Sequence, residues 1–285
     1  VGYVIDVYRG KLSAQKNPLK YGLFVSFFPQ MVQGPISRYD QLAPQLLSQR
    51  SLDWRDLKLG IQLCLWGYFK KLAVADRAAL AVNAAFADPS AYDRSQLFLC
   101  AVLYVFQLYA DFSGYTDIVL GAGEMLGLPL PENFRQPFLA ATIRELWDRW
   151  HISLSRWLKD YVYIPLGGSR CSAARRDGNI IATFLVSGLW HGANWTYVLW
   201  GALNGALILA ESCRAPKRRL PAAVQIGCTF VVMTLTRVLF RAESVGAALA
   251  VWRGLFAFRA GAGVLACGLD AADFAAALAA AAFAS

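Results

Sequence analysis

From residue 179 to residue 211 the chain runs 33 residues without a lysine, an arginine or an aspartate, and its one acid, Glu211, closes the stretch. A segment so poor in charge cannot coat a water-facing surface. It is bracketed by basic residues, with Arg170, Arg175 and Arg176 before it and Arg214, Lys217, Arg218 and Arg219 after it. Basic flanks on apolar segments are the mark of cytoplasmic loops. If both flanks are cytoplasmic, the segment enters the membrane and returns, and the polar break GLWHGANW stands where the turn falls. Two full spans need about 40 residues, so the length favours a re-entrant or broken helix over a hairpin of spans. A single span with one flank outside is the competing topology.

Composition generalises the point. The chain is 57% hydrophobic and 16% charged, with a mean hydropathy of +0.39, against roughly 45–50% and 25% in soluble domains. At 13% aromatic it is not a disordered chain either. The class that remains is all-α: a polytopic transmembrane helical protein with re-entrant or broken helices and interfacial amphipathic helices. The net charge of +9 comes from short basic runs between apolar stretches, which suits anionic headgroups. No zinc-finger spacing, aromatic RNA-binding box or basic arm accompanies it, so no nucleic-acid partner is expected. Six cysteines form no CxxC, and four lie in apolar runs, as small packing residues do.

The chain reads as a single membrane domain over 1–285. Its opening VGYVIDVYRGK and its Ala-rich end, 246–285, look like cut edges, and the expectation is a fragment lacking N-terminal spans. Residues 21–36, with Pro29, Gly34 and Pro35, read as a broken or re-entrant helix. Residues 59–86 are long enough to span, and Lys70 and Lys71 inside them must snorkel or mark a helix break. Residues 96–127 are too long for one straight span and carry Asp111, Asp117 and Glu124. Residues 133–178 hold eight Lys/Arg against four acids and form the cytoplasmic or interfacial segment. There Trp147, Trp150, Leu154, Trp157, Leu158 and Tyr161 recur at the spacing of one amphipathic helix. Residues 222–240 are a further span.

Two histidines occur, His151 in DRWHISLSRW and His191 in GLWHGANW, each inside a dense cluster of tryptophans and polar groups. An imidazole is the usual general base near neutral pH, and an ionisable group at membrane depth is a functional candidate, although a lone histidine on an apolar face is commonly structural. Ser153 and Ser155 lie near His151, without the GxSxG elbow of a serine hydrolase. The two histidines and Asp148 fall short of a zinc set, so no metal is expected. Asp148 stands three residues before His151 and either orients the imidazole or pairs with Arg144 or Arg149. Gly121, Gly123 and Gly127 do not make GxGxxG and suit helix packing. The IPLGGSR loop at 164–170 is a turn or a phosphate cradle.

FFPQMVQGPISR at 27–38, DFSGYTDIVLGAG at 111–123, RWHISLSRWLKDYVYIPLGGSR at 149–170 and GLWHGANWTYVLWG at 188–201 together resemble the membrane-bound O-acyltransferase family, in its bacterial alginate O-acetyltransferase branch. The likeness runs over about residues 1–245. It implies that the family's buried histidine is His191 and its second histidine His151. It also implies an acyltransferase of the bacterial inner membrane working in O-acetylation of a cell-envelope or exported polysaccharide. On that reading His191 deprotonates the acceptor hydroxyl, and His151 orients or polarises the acyl carbonyl. Trp190 and Asn194 then supply N–H donors or serve as packing, beside Asp148. No tightly bound cofactor is expected, acetyl-CoA or an acyl carrier being a co-substrate. The implied partners are membrane lipid, an envelope-side acetyltransferase and the polysaccharide as final acceptor. The rival classes are a transporter with Asp111, Asp117 and Glu124 along a polar path, and a non-catalytic membrane scaffold.

Overall fold

The computed structural model describes residues 1–51, 53–213 and 220–257. The basic run at 214–219 and the stretch from 258 to 285, with Cys267 and most of the Ala-rich end, lie outside the described residues. Twelve α-helices follow one another among the described residues: α1 (Gly2–Tyr8), α2 (Pro18–Val25), α3 (Tyr39–Leu47), α4 (Trp54–Phe69), α5 (Asp76–Ala87), α6 (Arg94–Met125), α7 (Ile143–Arg149), α8 (Ile152–Leu158), α9 (Ala173–His191), α10 (Trp195–Cys213), α11 (Ala222–Arg241) and α12 (Val245–Phe256). The one extended pairing among them is an isolated antiparallel bridge between Phe134 and Trp150. The all-α expectation holds. Among the described residues two helices, α6 and α11, are long and apolar enough to cross a bilayer, and α12 is a shorter apolar helix.

The centre of the molecule is α6. It is one unbroken helix of 32 residues, roughly 48 Å long at 1.5 Å per residue, longer than the roughly 30 Å core that one straight span would cross. Asp93 starts it with a capping box, its side chain accepting from the Gln96 amide while Gln96 accepts from that of Asp93. Against it lies α4, at backbone distance, because glycines face each other twice. A Cβ on Gly67 would stand 2.4 Å from the Gly114 carbonyl oxygen, and one on Gly60 2.5 Å from that of Gly121. Small residues let helix backbones meet in this way, which is the packing role expected of Gly121.

The two lysines inside 59–86 mark not a break but a widening of one helical path, the backbone staying right-handed helical from α4 into α5. Residues Lys70–Ala75 form a π-helical stretch between α4 and α5. Lys70 Nζ lies 2.7 Å from Asp117, and Lys71 Nζ lies 2.6 Å from Asp111 and 2.8 Å from Asp76. Two of the three acids of α6, Asp111 and Asp117, are therefore paired with lysines. Leu59, Ile61, Leu65 and Leu72 stay exposed along the same stretch, an apolar exterior that water would not tolerate and lipid would.

Residues 179–211 fold differently from the expectation. The turn falls at 192–194, inside GLWHGANW, but its arms are two complete helices of 19 residues, α9 and α10, each roughly 28 Å long. The room comes from the basic side, since α9 begins at Ala173. Gly188 and Gly201 bring the arms together: a Cβ on either would stand 2.3 Å from a carbonyl oxygen of the other arm, that of Tyr197 or Phe184. The remaining core joins α5, α6, α10, α11 and α12 around Leu97, Trp200, Val238 and Val251. The five described cysteines, Cys64, Cys100, Cys171, Cys213 and Cys228, are free thiols.

Candidate active site

The tryptophan-rich segment is two helices, not one. α7 stops at Arg149, α8 starts at Ile152, and Trp150 and His151 leave the helix between them. The cause lies some fifteen residues upstream, in the extended chain before α7. The Arg135 amide donates to the Arg149 carbonyl and the Ile152 amide to the Asn133 carbonyl, both at 2.9 Å. To keep both bonds His151 adopts φ 46° and ψ 53°, the left-handed region that residues other than glycine, asparagine and aspartate seldom enter.

This excursion buries the imidazole. His151 is 5% exposed, 4.7 Å from the Phe112 ring and 5.9 Å from that of Trp190. Its Nδ1 lies 3.4 Å from Asn133 Oδ1. That oxygen only accepts, so the contact favours a proton on Nδ1 and a lone pair on Nε2. Asn133 Oδ1 also accepts from the Ser153 hydroxyl at 2.6 Å and the Ser153 amide at 3.2 Å, and Ser153 Oγ accepts from the Ile36 amide at 3.0 Å. Ser153 thus ties the 27–38 motif to the histidine as a structural residue. Burial, then the facing His191 and Arg237, pushes the His151 imidazole down from 6.5 to about 3.

His191 is the last residue of α9 and is partly exposed. Its ring meets Trp190 and Phe240 at 5.0 Å and Trp200 at 5.3 Å. The two histidines, more than a helix apart in sequence, line one cavity of about 300 Å³ between α7, α8, α9, α10 and α11. The exposed residues of its lining are Arg144, Asp148 and Lys159, and Trp150, Trp200 and Arg237 are among its buried ones. The mouth is held in register by Glu211. Standing near the end of α10, its carboxylate accepts from the amides of Ile143 at 2.9 Å and Arg144 at 3.2 Å, the first turn of α7.

The other expected residues divide. Asp148 lines the cavity but makes neither expected contact: Arg149 pairs with Glu145 at 2.6 Å, and Asn133 takes His151. The i, i+3 geometry that would join Asp148 to His151 requires a continuous helix, and the helix ends between them. Trp190 packs between the histidines, is 53% exposed, and does not line the cavity. Asn194 is taken up by the hairpin, its Nδ2 donating to the Glu243 carbonyl at 3.1 Å and its Oδ1 accepting from the Thr196 amide at 3.1 Å. Sequence reasoning passed over Asn133 and Arg237. For Arg237 the signal was present: a cation inside an apolar span, one turn before its end.

The profile of MBOAT, the membrane-bound O-acyltransferase family, matches residues 11–235. The chain is 39% identical over 264 residues to the probable alginate O-acetylase AlgI of Azotobacter vinelandii, covering 90% of this chain and 52% of that protein. It is 38% identical over 244 residues to the peptidoglycan O-acetyltransferase of Helicobacter pylori, covering 83% and 46%. It is 27% identical over 221 residues to the teichoic acid D-alanyltransferase of Bacillus subtilis, covering 73% and 55%. The chain thus spans about half the length of these relatives. On the extent of the profile match and the identity to the first of them, it belongs to the membrane-bound O-acyltransferase family, in its alginate O-acetylase-like branch.

Proposed function

We propose that this chain carries the acyl-transfer centre of a membrane-bound O-acyltransferase that moves acetyl groups from a cytoplasmic donor toward an exported or cell-envelope polysaccharide. The observation that carries this reading is the convergence of His151 and His191 on one cavity. Acyl transfer to a hydroxyl needs a base for the proton and stabilisation of the tetrahedral oxyanion. His191 takes the hydroxyl proton. His151, its Nδ1 proton held by Asn133, presents Nε2 to the cavity as a hydrogen-bond acceptor and orients the acyl donor. Asp148 stands at the mouth, where Arg144 and Lys159 suit a donor bearing phosphates, such as acetyl-CoA or an acyl carrier. Trp190 sets the spacing of the two rings, and Asn194 caps the turn behind them. The protein works in the bacterial inner membrane as a multi-pass protein with an envelope-side acetyltransferase as partner. The names of its relatives, which include O-acetylases and a D-alanyltransferase, support acyl transfer to envelope polymers.

The test is polymer-bound acetyl released by mild alkali from cells carrying the full-length protein, with His191→Ala compared to wild type at matched membrane abundance. Loss of esters is expected, by about 10²–10⁴-fold in rate for a missing general base. Unchanged esters would overturn the reading. A transporter would instead be crippled by Asp111→Asn, and a scaffold by neither change. The ion pairs of Asp111 with Lys71 and of Asp117 with Lys70 count against a polar path along α6.

A further inference from the structure

Arg237 is 3% exposed and lines the same cavity as the two histidines. No hydrogen bond or ion pair reaches its guanidinium among the described residues. What surrounds it is aromatic: the carbon of the guanidinium lies 4.5 Å from the Trp150 ring centre and 5.4 Å from those of Trp200 and Phe240. Trp200 and Phe240 are the rings that also pack on His191, and Trp150 is the chain neighbour of His151. Arg237 therefore sits where the surroundings of the two histidines overlap. Arg241, one turn further along α11, makes the contrast: it is satisfied by Asn83 Oδ1 at 2.7 Å.

A buried guanidinium is normally paired, because its desolvation must be offset by an anion or by acceptors. Here the one carboxylate of the lining, Asp148, is exposed and makes no ion pair with Arg237, and the buried groups nearby are further donors. The indole N–H groups of Trp147 and Trp200, both lining residues, are buried without an acceptor. Such a cavity is built for something that accepts hydrogen bonds and gains negative charge.

Resting on the acyltransferase reading, we infer that Arg237 is the oxyanion donor of the reaction, its planar fork holding the acyl oxygen in the tetrahedral intermediate. The acceptor hydroxyl oxygen bonds to the carbonyl carbon of an acyl thioester while His191 takes the hydroxyl proton. The carbonyl π pair moves onto oxygen, and Arg237 donates to that oxyanion. On collapse the C=O bond re-forms, the C–S bond breaks, and the departing sulfur takes the proton from His191. The aromatic faces hold the cation by its planes and leave its edges for the substrate.

The experiment uses the full-length protein in its host, reading the rate of polymer-ester formation per amount of membrane protein for Arg237→Met, Arg237→Lys, and Arg237→Ala with and without added methylguanidinium. His191→Ala serves as the control. Arg237→Met at normal abundance is expected to be slower by about 10²–10³-fold, as for removal of one oxyanion donor, and methylguanidinium to restore part of the Arg237→Ala rate. Wild-type rate in an abundant Arg237→Met protein would overturn the inference. If that variant does not accumulate, Arg237→Lys decides, since it keeps the charge and loses the fork: roughly tenfold slowing or more supports the assignment, and wild-type rate overturns it. Wild-type esters in His191→Ala would mean that the acyltransferase reading has failed, a result distinct from either outcome at Arg237.

Discussion

His151 and His191 stand on either side of one indole: the Trp190 ring centre is 5.9 Å from the first imidazole and 5.0 Å from the second. Neither histidine comes with a carboxylate that would fix its direction. The His151 ring is held by the Asn133 side chain and the His191 ring by Trp200 and Phe240, with this shared aromatic between them. Trp190→Ala is therefore expected to slow ester formation by about tenfold to a hundredfold through misplacement of the pair, while Trp190→Phe keeps most of the rate. Because Trp190 is half exposed, thermal unfolding of the purified protein should move little in either variant. A large drop in melting temperature would assign the residue to packing instead.

The left-handed backbone at His151 separates chemistry from strain. His151→Gly and His151→Ala both remove the imidazole, but glycine relaxes at φ 46° and alanine does not. The glycine variant is expected to be the more stable of the two by about 1 kcal/mol, with ester formation lost equally in both. Equal denaturation midpoints would mean that the turn at Trp150–His151 is not held as described.

Acid should weaken the fold through the same residue. The buried His151 takes its proton only near 3, whereas an unfolded chain takes it near 6.5. Between those values the unfolded state binds the extra proton, so stability falls as pH falls through that window, by an amount on the order of a few kcal/mol in total. His151→Asn, which tolerates the left-handed backbone, should flatten this slope. Tryptophan-fluorescence unfolding in detergent from pH 7 to 4 reads it, and parallel slopes for the two proteins would contradict it.

Two glycines to alanine should act in opposite directions. Gly67→Ala puts a methyl 2.4 Å from the Gly114 carbonyl oxygen and must push α4 off α6, at a cost of about 1–3 kcal/mol. In α9, Gly178 has nothing within 4 Å of an added Cβ, so Gly178→Ala is expected to stabilise by about 0.5–1 kcal/mol. Melting temperatures of the two variants check both signs.

Much of this could be read from side-chain pattern. The charge-free run with its polar break placed the α9–α10 turn, Lys70 and Lys71 pointed to an irregularity where the π-helical stretch lies, and the resemblance picked out both histidines. What escaped depends on backbone bonds between distant segments. The period of Trp147, Trp150, Trp157 and Tyr161 is the same whether or not the helix breaks at His151. The break is made by the amides and carbonyls of residues 133, 135, 149 and 152, which carry no side-chain signature. The length of α9 was hidden for a related reason: its first turn is Ala173, Ala174, Arg175 and Arg176, and a basic helical turn resembles a basic loop. Arg237 was legible as an anomaly inside a span, but its aromatic surroundings come from α7, α10 and the α7–α8 junction and meet only in the folded chain.

The short antiparallel bridge between Phe134 and Trp150 makes the histidine motif a split one. Residues 149–152 supply the imidazole, and residues 133–135 supply the direction in which it points, with all of α7 threaded between. A segment transplanted as RWHIS alone would carry the ring into a new host without the hydrogen bonds that aim it, and the host helix would simply run on through it. Shuffling between relatives should therefore exchange residues 133–158 as one cassette. Crossovers placed inside α7 are the ones to avoid, even where both parents share the histidine.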